Sequence, residues 1–90
     1  MQRYTEQQVE DWLTREKRRV TLPDGSARAV TAFRLTWGKA EALAARGVYS
    51  IAELVGYAIE ESVLQGITLD DAFHCVVGWL DNERRDGWGG

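Results

Sequence analysis

Apolar and polar residues alternate along the chain in a pattern that predicts one helix, a β-hairpin and three further helices. Thr5 can cap a first helix that runs to about Arg19, because acidic side chains lie early in it and basic ones late, as the helix dipole favours. The extended residues that follow lead into a turn, Pro23-Asp24-Gly25-Ser26, where proline presets the backbone and glycine tolerates positive φ. The sequence therefore predicts an α+β protein that is mostly α.

The second strand of the hairpin is predicted from Ala27 to about Trp37, where apolar and polar residues alternate. Successive side chains of a strand point to opposite faces, so this alternation indicates that one face is buried. The predicted buried face consists of Ala29, Thr31, Phe33, Leu35 and Trp37. The predicted exposed face consists of Arg28, Val30, Ala32, Arg34 and Thr36.

Three helices are predicted after the hairpin from their capping residues and their apolar spacing. The first covers residues 39–46. The second begins at a capping box of Ser50 and Glu53 and runs to about Leu64, with Gly66 ending it. The third is capped by Thr68 and ends near Arg85. The expected core residues of the two longer helices are Ile51, Leu54, Val55, Ala58, Ile59, Ser62, Leu69, Ala72, Phe73, Val76, Val77 and Leu80.

The length of 90 residues corresponds to a single domain. We expect it to cover residues 1–86, with a flexible tail over residues 87–90. The one histidine, His74, and the one cysteine, Cys75, diverge by about 100° on a helix, so they cannot act together as base and nucleophile. Cys75 is expected to be a buried thiol. Without four metal ligands or a phosphate-binding loop, the sequence indicates a protein that is not an enzyme and has no metal or cofactor.

The cellular location is predicted from three features of the chain. No stretch is long and apolar enough to cross a bilayer, and the first residues lack the apolar run of a secretion signal. A single cysteine fits a reducing compartment. We therefore expect a cytoplasmic protein with no membrane partner.

Charge is distributed unevenly along the chain. Residues 1–39 carry eight basic and five acidic side chains, a net charge of +3. Residues 40–90 carry three basic and nine acidic side chains, a net charge of −6. A chain of this kind can present a basic surface to nucleic acid while its other half stays acidic.

Arginine-bearing strands followed by helices make up most of the chain from about residue 17 to about residue 84. The residues that carry this pattern are Arg18-Arg19-Val20-Thr21-Leu22, Val30-Thr31-Ala32-Phe33-Arg34-Leu35, Leu43-Ala44-Ala45-Arg46-Gly47, Ser50-Ile51-Ala52-Glu53-Leu54-Val55 and Thr68-Leu69-Asp70-Asp71-Ala72-Phe73. The pattern resembles the ribbon-helix-helix DNA-binding proteins, in particular the small bacterial variant with two strands before the helices.

This resemblance implies a ribbon that pairs with its twin in a second subunit and enters the DNA major groove. The residues expected to contact DNA are Arg18, Arg28, Arg34, Thr36, Lys39 and Ser50. Those on the second strand would face bases, whereas Arg18 and Lys39 would contact phosphates. The free N–H groups at the start of the Ser50 helix would also point at a phosphate.

A second, shorter pattern covers residues 35–54. Its residues, Leu35-Thr36-Trp37-Gly38-Lys39-Ala40, Leu43 and Arg46-Gly47-Val48-Tyr49-Ser50-Ile51-Ala52-Glu53-Leu54, form two helical stretches joined by a glycine turn. They resemble the helix-hairpin-helix unit in the C-terminal domain of bacterial RNA polymerase α subunits. Such units also serve as protein-packing elements, so this resemblance leaves the kind of partner open.

Two functions are compatible with these features. The first is a small DNA-binding regulator, of the repressor or antitoxin kind, that acts as a homodimer because the apolar face of its hairpin needs covering. The alternative is a phage or mobile-element protein that binds and inhibits a host protein complex, as small acidic anti-CRISPR proteins do. Its four tryptophans would then include interface anchors, whereas otherwise Trp12, Trp37 and Trp79 belong to the core. The acidic residues expected to bind such a partner are Glu60, Glu61, Asp70 and Asp71.

Overall fold

The secondary structure consists of one short helix, a two-stranded antiparallel hairpin and three longer helices. The computed structural model describes the backbone of residues 4–89 and the side chains of residues 4–83. In chain order the elements are α1 (Glu6–Trp12), β1 (Arg15–Thr21), β2 (Ala27–Phe33), α2 (Arg34–Ala45), α3 (Ile51–Gln65) and α4 (Leu69–Gly89). This order confirms the predicted α+β class with mostly helical content.

Helix α1 ends at Trp12, well before the end predicted near Arg19. Its predicted start is confirmed, because the Thr5 hydroxyl accepts the N–H of Gln8 at 3.1 Å and the Gln8 side chain accepts the N–H of Thr5 at 2.9 Å. No side chain of α1 is buried, so packing does not stabilise further turns. The residues from Arg15 onward instead pair with β2. The prediction of helix across this segment is wrong.

The turn between the strands has the predicted residues and conformation. Gly25 has a φ of 90°, a left-handed value that only glycine adopts readily. The carboxylate of Asp24 accepts hydrogen bonds from the Ser26 N–H at 2.9 Å and the Ser26 hydroxyl at 2.6 Å. The N–H of Leu22 donates to the Ser26 carbonyl at 2.8 Å and closes the hairpin.

Strand β2 ends at Phe33, and the next residue begins α2 instead of extending the strand to Trp37. The buried residues of the strand are Val30 and Ala32, which were expected on its exposed face. Ala29, expected to be buried, is exposed. The prediction of which strand face is buried is wrong because it rests on alternation through residue 37, whereas residues 34–37 belong to a helix.

Helix α3 has the boundaries that its capping residues predict. The Ser50 hydroxyl accepts the N–H of Glu53 at 3.1 Å, and the Glu53 carboxylate accepts the N–H of Ser50 at 3.1 Å. Gly66 follows the helix in the left-handed conformation, with a φ of 67°. Both ends of the predicted helix are therefore confirmed.

Helix α4 begins at its predicted cap and runs further than predicted. The hydroxyl of Thr68 accepts the N–H of Asp71 at 3.2 Å. The backbone stays helical to Gly89, beyond the end predicted near Arg85. The last residue of the chain, and side chains after residue 83, lie outside the described part of the structure. The flexibility of residues 87–90 stays a prediction.

The core lies between the hairpin and the three longer helices. Trp37 of α2 is 1% exposed, and its ring packs against Phe73 of α4 with ring centroids 4.8 Å apart. Helices α3 and α4 pack along one another, while β2 lies against α4. The buried apolar side chains are Val20, Val30, Ala32, Trp37, Ala40, Leu43, Leu54, Val55, Ala58, Ala72, Phe73, Val76, Val77 and Leu80.

Two side chains of α4 expected in the core are exposed. Cys75 is an exposed free thiol, and Trp79 is 66% exposed. The core stripe of α4 runs through Phe73, Val76 and Val77, so residues at 75 and 79 fall on the flank of the helix. Trp12 is only half-buried. Of the two alternatives for the tryptophans, placement in the core is correct for Trp37 but not for Trp12 or Trp79.

Candidate functional site

The register of the hairpin assigns its side chains to two faces. Residues directly opposite each other in an antiparallel pair lie on the same face. Arg18 pairs with Val30, and Val30 is buried, so this pair lies on the inner face. Lys17 pairs with Thr31 and therefore lies on the outer face, as do the neighbouring pairs Arg15–Phe33 and Arg19–Ala29.

The outer face of β1 presents three basic side chains in a row. Arg15, Lys17 and Arg19 are all exposed and alternate along the strand. Positions two apart on a strand are separated by about 6.5–7 Å, so the row extends over roughly 13 Å. We call Arg15, Lys17 and Arg19 the basic row.

The surroundings of the basic row leave Lys17 and Arg19 open to a ligand, whereas Arg15 lines a cavity with the acidic side chains of Asp70 and Asp71. Among the described residues, no ion pair involves any of its three side chains. The opposite half of the face carries the small side chains of Ala29 and Thr31, which do not screen the longer basic ones. The guanidinium of Arg15 lies 5.6 Å from the centroid of the Phe33 ring, which holds it at one end of the row.

Arg18, a predicted phosphate contact, belongs instead to a network beneath the hairpin. Its Nη1 donates to the Glu41 carboxylate at 2.6 Å, its Nε donates to Glu16, and its guanidinium lies 4.8 Å from the centroid of the Trp37 ring. The hydrogen bonds to Glu41 and then Glu16 raise the pKa of the Arg18 guanidinium. Two carboxylates already bind this side chain and compete with a phosphate for it.

Thr36 cannot contact bases, contrary to the sequence prediction. It is 3% exposed, and its hydroxyl forms a 2.9 Å hydrogen bond with Nδ1 of His74. The prediction fails because residue 36 lies in the first turn of α2, where it turns inward. Arg34, from the same turn, is exposed, and its Nε lies 3.6 Å from the Glu16 carboxylate.

The remaining residues expected to contact DNA, Arg28, Lys39 and Ser50, do not form one surface with the basic row. Arg28 is exposed and lies opposite Val20, on the side of the hairpin away from the basic row. Lys39 is half-buried on α2. The Ser50 hydroxyl caps its own helix and occupies one of the N–H groups that a phosphate would use.

The basic row was missed because residues 15–19 were interpreted as the end of a helix. The sequence has no period-two signal for it, because Arg18 is also basic and only Glu16 interrupts the run.

The four acidic residues predicted to bind a partner protein lie in two places. Glu60 and Glu61 line a groove of about 540 Å³ between α3 and α4. Asp70 lies beside the hairpin, where its carboxylate accepts the N–H of Thr31 at 2.9 Å. Asp71 is exposed in the first turn of α4. Both aspartates line a second cavity, which includes Arg15 at one end of the basic row, whereas the glutamates line a groove with exposed tyrosine and tryptophan side chains.

The groove combines aromatic and acidic side chains. We call it the α3–α4 groove. Its aromatic residues are Tyr49, Tyr57 and Trp79, and its acidic residues are Glu60, Glu61 and Glu83. Among the side chains that the structure describes, no group of three or more His, Cys, Asp or Glu residues could hold a metal ion. Within the same residues, no helix has the length and apolar character needed to cross a membrane.

No protein-family model matches the chain, and neither a curated protein nor a solved structure matches it.

Proposed function

We propose that this protein binds nucleic acid through the outer face of its hairpin, as a small DNA-binding regulator of the repressor or antitoxin kind. The observation that carries the proposal is the basic row, in which Arg15, Lys17 and Arg19 are exposed on one face without an ion pair among the described residues. Regularly spaced, unpaired cations suit a polyanion whose charges also repeat.

The chemistry of this face favours contacts to phosphates over contacts to bases. Lysine and arginine neutralise phosphate charge, and such contacts supply most non-specific affinity. On the β2 side, Ala29 and Thr31 offer few hydrogen-bonding groups to base edges. The proposed binding is therefore strongly dependent on salt and weakly dependent on DNA sequence.

The charge distribution favours one orientation on the nucleic acid. The segment from Arg15 to Arg19 carries four basic side chains and one acidic one, whereas residues 40–90 have a net charge of −6. Phosphates would repel this acidic half, which favours an orientation with Lys17 and Arg19 toward the nucleic acid. The acidic half lowers the overall affinity but opposes binding in any other orientation.

A homodimer remains part of the proposal, for a reason different from the apolar face suggested by the sequence. Trp37 is buried within its own chain and needs no second subunit. The N–H of Thr31 donates to Asp70 and not to β1, so Thr31 and Lys17 form a non-hydrogen-bonded pair of the ladder. In such a pair the main-chain groups point away from the partner strand, so those of Lys17 point to the open edge of β1. A second copy can pair at that edge, which would juxtapose two basic rows.

Such pairing places like charges opposite one another, which destabilises a sheet. Lysine on an edge strand also opposes edge-to-edge pairing. A bound phosphate backbone would offset this repulsion. We therefore expect the dimer to be weak in the free protein and strengthened by nucleic acid.

The proposal is tested by fluorescence anisotropy with a labelled DNA duplex at low salt. The double variant K17Q/R19Q should lose most of the affinity, since each phosphate contact contributes separately. The single variants K17Q and R46Q form a matched pair that removes one charge each, because Arg46 is exposed at the end of α2 and outside the hairpin. Equal binding by wild type and K17Q/R19Q would contradict the proposal.

The second candidate function is the binding and inhibition of a host protein complex by a phage or mobile-element protein. One observation favours it: Trp79 is 66% exposed beside the carboxylates of the α3–α4 groove. Exposed tryptophan is a common anchor at protein interfaces. If this function holds, charge reversal at Glu60 and Glu61 should abolish capture of the partner, while K17Q/R19Q should leave capture unchanged.

A further inference from the structure

The residues of the α3–α4 groove belong to the acidic second half of the chain, whereas the basic row belongs to the basic first half. Its volume of about 540 Å³ is within the range of sites that bind ligands or side chains of a partner. Its apolar floor includes Val76 and Leu80, both of which belong to the core of α4. The floor is therefore fixed by packing, while the walls are open to solvent.

The walls of the groove carry charge of one sign. Glu60, Glu61 and Glu83 line it, and no lysine, arginine or histidine is among its described lining residues. This arrangement repels nucleic acid and other polyanions. It attracts a cation, whose charge the carboxylates would balance.

The aromatic side chains narrow the class of cation. Trp79 is 66% exposed and Tyr57 is 43% exposed, so part of each ring is accessible to a ligand. Tyr49 contacts Tyr57 edge to face at 5.9 Å between ring centroids, which holds the ring of Tyr57 in place. Arginine suits such a site better than lysine, because its planar guanidinium stacks on aromatic rings and binds carboxylates through two parallel hydrogen bonds.

We propose that the α3–α4 groove binds an arginine-bearing segment of a partner protein. The guanidinium stacks on Trp79 or Tyr57 and pairs with Glu60 or Glu61. Apolar neighbours in the segment cover the floor of the groove. This inference does not depend on nucleic-acid binding by the hairpin, because it uses other residues on other elements.

The experiment follows the indole and amide resonances of ¹⁵N-labelled full-length protein. The probe is a short acetylated and amidated peptide in which arginine alternates with leucine. We expect it to shift the resonances of Trp79, Tyr57 and Cys75, which line the groove, and to leave those of Lys17 and Arg19 unchanged. The same peptide with lysine should bind more weakly, and with glutamate it should not bind.

Variants test whether the groove itself recognises the peptide. E60Q/E61Q and W79A should each lower the affinity by roughly three- to tenfold, the effect of losing exposed ion pairs or a cation–π contact. E6Q/E10Q is the control, because it removes the same charge from the exposed surface of α1. K17Q/R19Q should leave peptide binding unchanged.

Four results would overturn the inference. The first is an equal loss of peptide affinity in E60Q/E61Q and E6Q/E10Q, which indicates attraction to the net charge of the protein alone. The second is a shift of hairpin resonances in place of Trp79, and the third is binding of the glutamate peptide. The fourth is movement of the Trp79 resonance on dilution of the protein without peptide, which assigns the groove to a second copy of this chain.

Discussion

Replacement of Trp37 should reveal how strongly the hairpin depends on the helices beneath it. The ring is 1% exposed, packs on Phe73 at 4.8 Å, and lies 4.8 Å from the Arg18 guanidinium. Its indole N–H donates to the carbonyl of Glu16 in β1 at 2.8 Å. This one side chain therefore joins α2, α4 and the strand that carries the basic row.

Loss of these contacts should lower the free energy of unfolding. Trp37→Ala should lower the free energy of unfolding by about 3–5 kcal/mol, the usual effect of removing a buried tryptophan side chain. A domain of 90 residues has roughly 5–13 kcal/mol in total. Trp37→Phe keeps most of the ring packing and loses the indole hydrogen bond, so a loss of about 1–2 kcal/mol is expected.

Urea denaturation followed by far-ultraviolet circular dichroism measures the effect. With a slope of about 1–2 kcal/mol per M, the midpoint for Trp37→Ala should fall by roughly 1.5–5 M. The control is Trp79→Ala, which should change stability by less than about 0.5 kcal/mol because its side chain is 66% exposed. Equal losses for the two alanine variants would refute the packing described for the hairpin.

Three further predictions concern the core, the turn and the oligomeric state. Phe73→Ala should lower the free energy of unfolding by about 3–5 kcal/mol and Leu69→Ala by less, because Phe73 is fully buried and Leu69 only partly, as the same urea titration would measure. The hydrogen bonds from the Ser26 hydroxyl and N–H lower the pKa of the Asp24 carboxyl. The carboxylate should therefore contribute fully to the free energy of unfolding at pH values above its ordinary pKa of 3.8, and this contribution should be lost as the pH falls below that value. Asp24→Ala should therefore show a weaker dependence of melting temperature on pH in that range, and an unchanged dependence would contradict the role of the turn. Sedimentation analysis should find more dimer with a DNA duplex than without it, and a strict monomer in both conditions would exclude pairing through β1.

The helix boundaries that sequence reasoning predicted well are those set by neighbouring residues. Ser50 and Glu53 satisfy each other's backbone groups within one turn, and Gly66 takes a backbone conformation that other residues resist. These effects need no distant contact. They can therefore be recognised without knowledge of the fold.

The segment of β1 was assigned incorrectly because its structure depends on a distant segment. Acidic residues followed by basic ones suit a helix dipole, so residues 5–19 have a plausible helical pattern by themselves. Pairing with residues 27–33 and burial of Val20 decide the outcome in favour of a strand. Local pattern alone does not include those contributions.

The start of α2 is hidden for a different reason. Its N-cap is Phe33, whose side chain makes no capping hydrogen bond. The usual signal of serine, threonine, aspartate or asparagine is therefore absent at this position. The burial of Trp37 was predicted correctly, but its place on a helix was not.

The candidate surfaces could be predicted only in part. The excess of basic residues in the first half of the chain was evident, but choosing Arg15, Lys17 and Arg19 over Arg18 and Thr36 requires the register of the hairpin. The α3–α4 groove brings together residues from two helices, and of its acidic residues the sequence analysis selected Glu60 and Glu61 but not Glu83. Their aromatic neighbours become recognisable through the packing of α3 on α4.

The salt dependence of DNA binding tests the central claim most directly. If the basic row contacts phosphates, the slope of log K against log salt concentration should be about −0.9 per contact, or roughly −3 for one chain with its three basic side chains. Lys17→Gln should reduce the magnitude of this slope by about 0.9. Arg46→Gln should leave it unchanged. A slope that is the same for wild type, Lys17→Gln and Arg46→Gln would contradict the assignment of the hairpin as the nucleic-acid-binding surface.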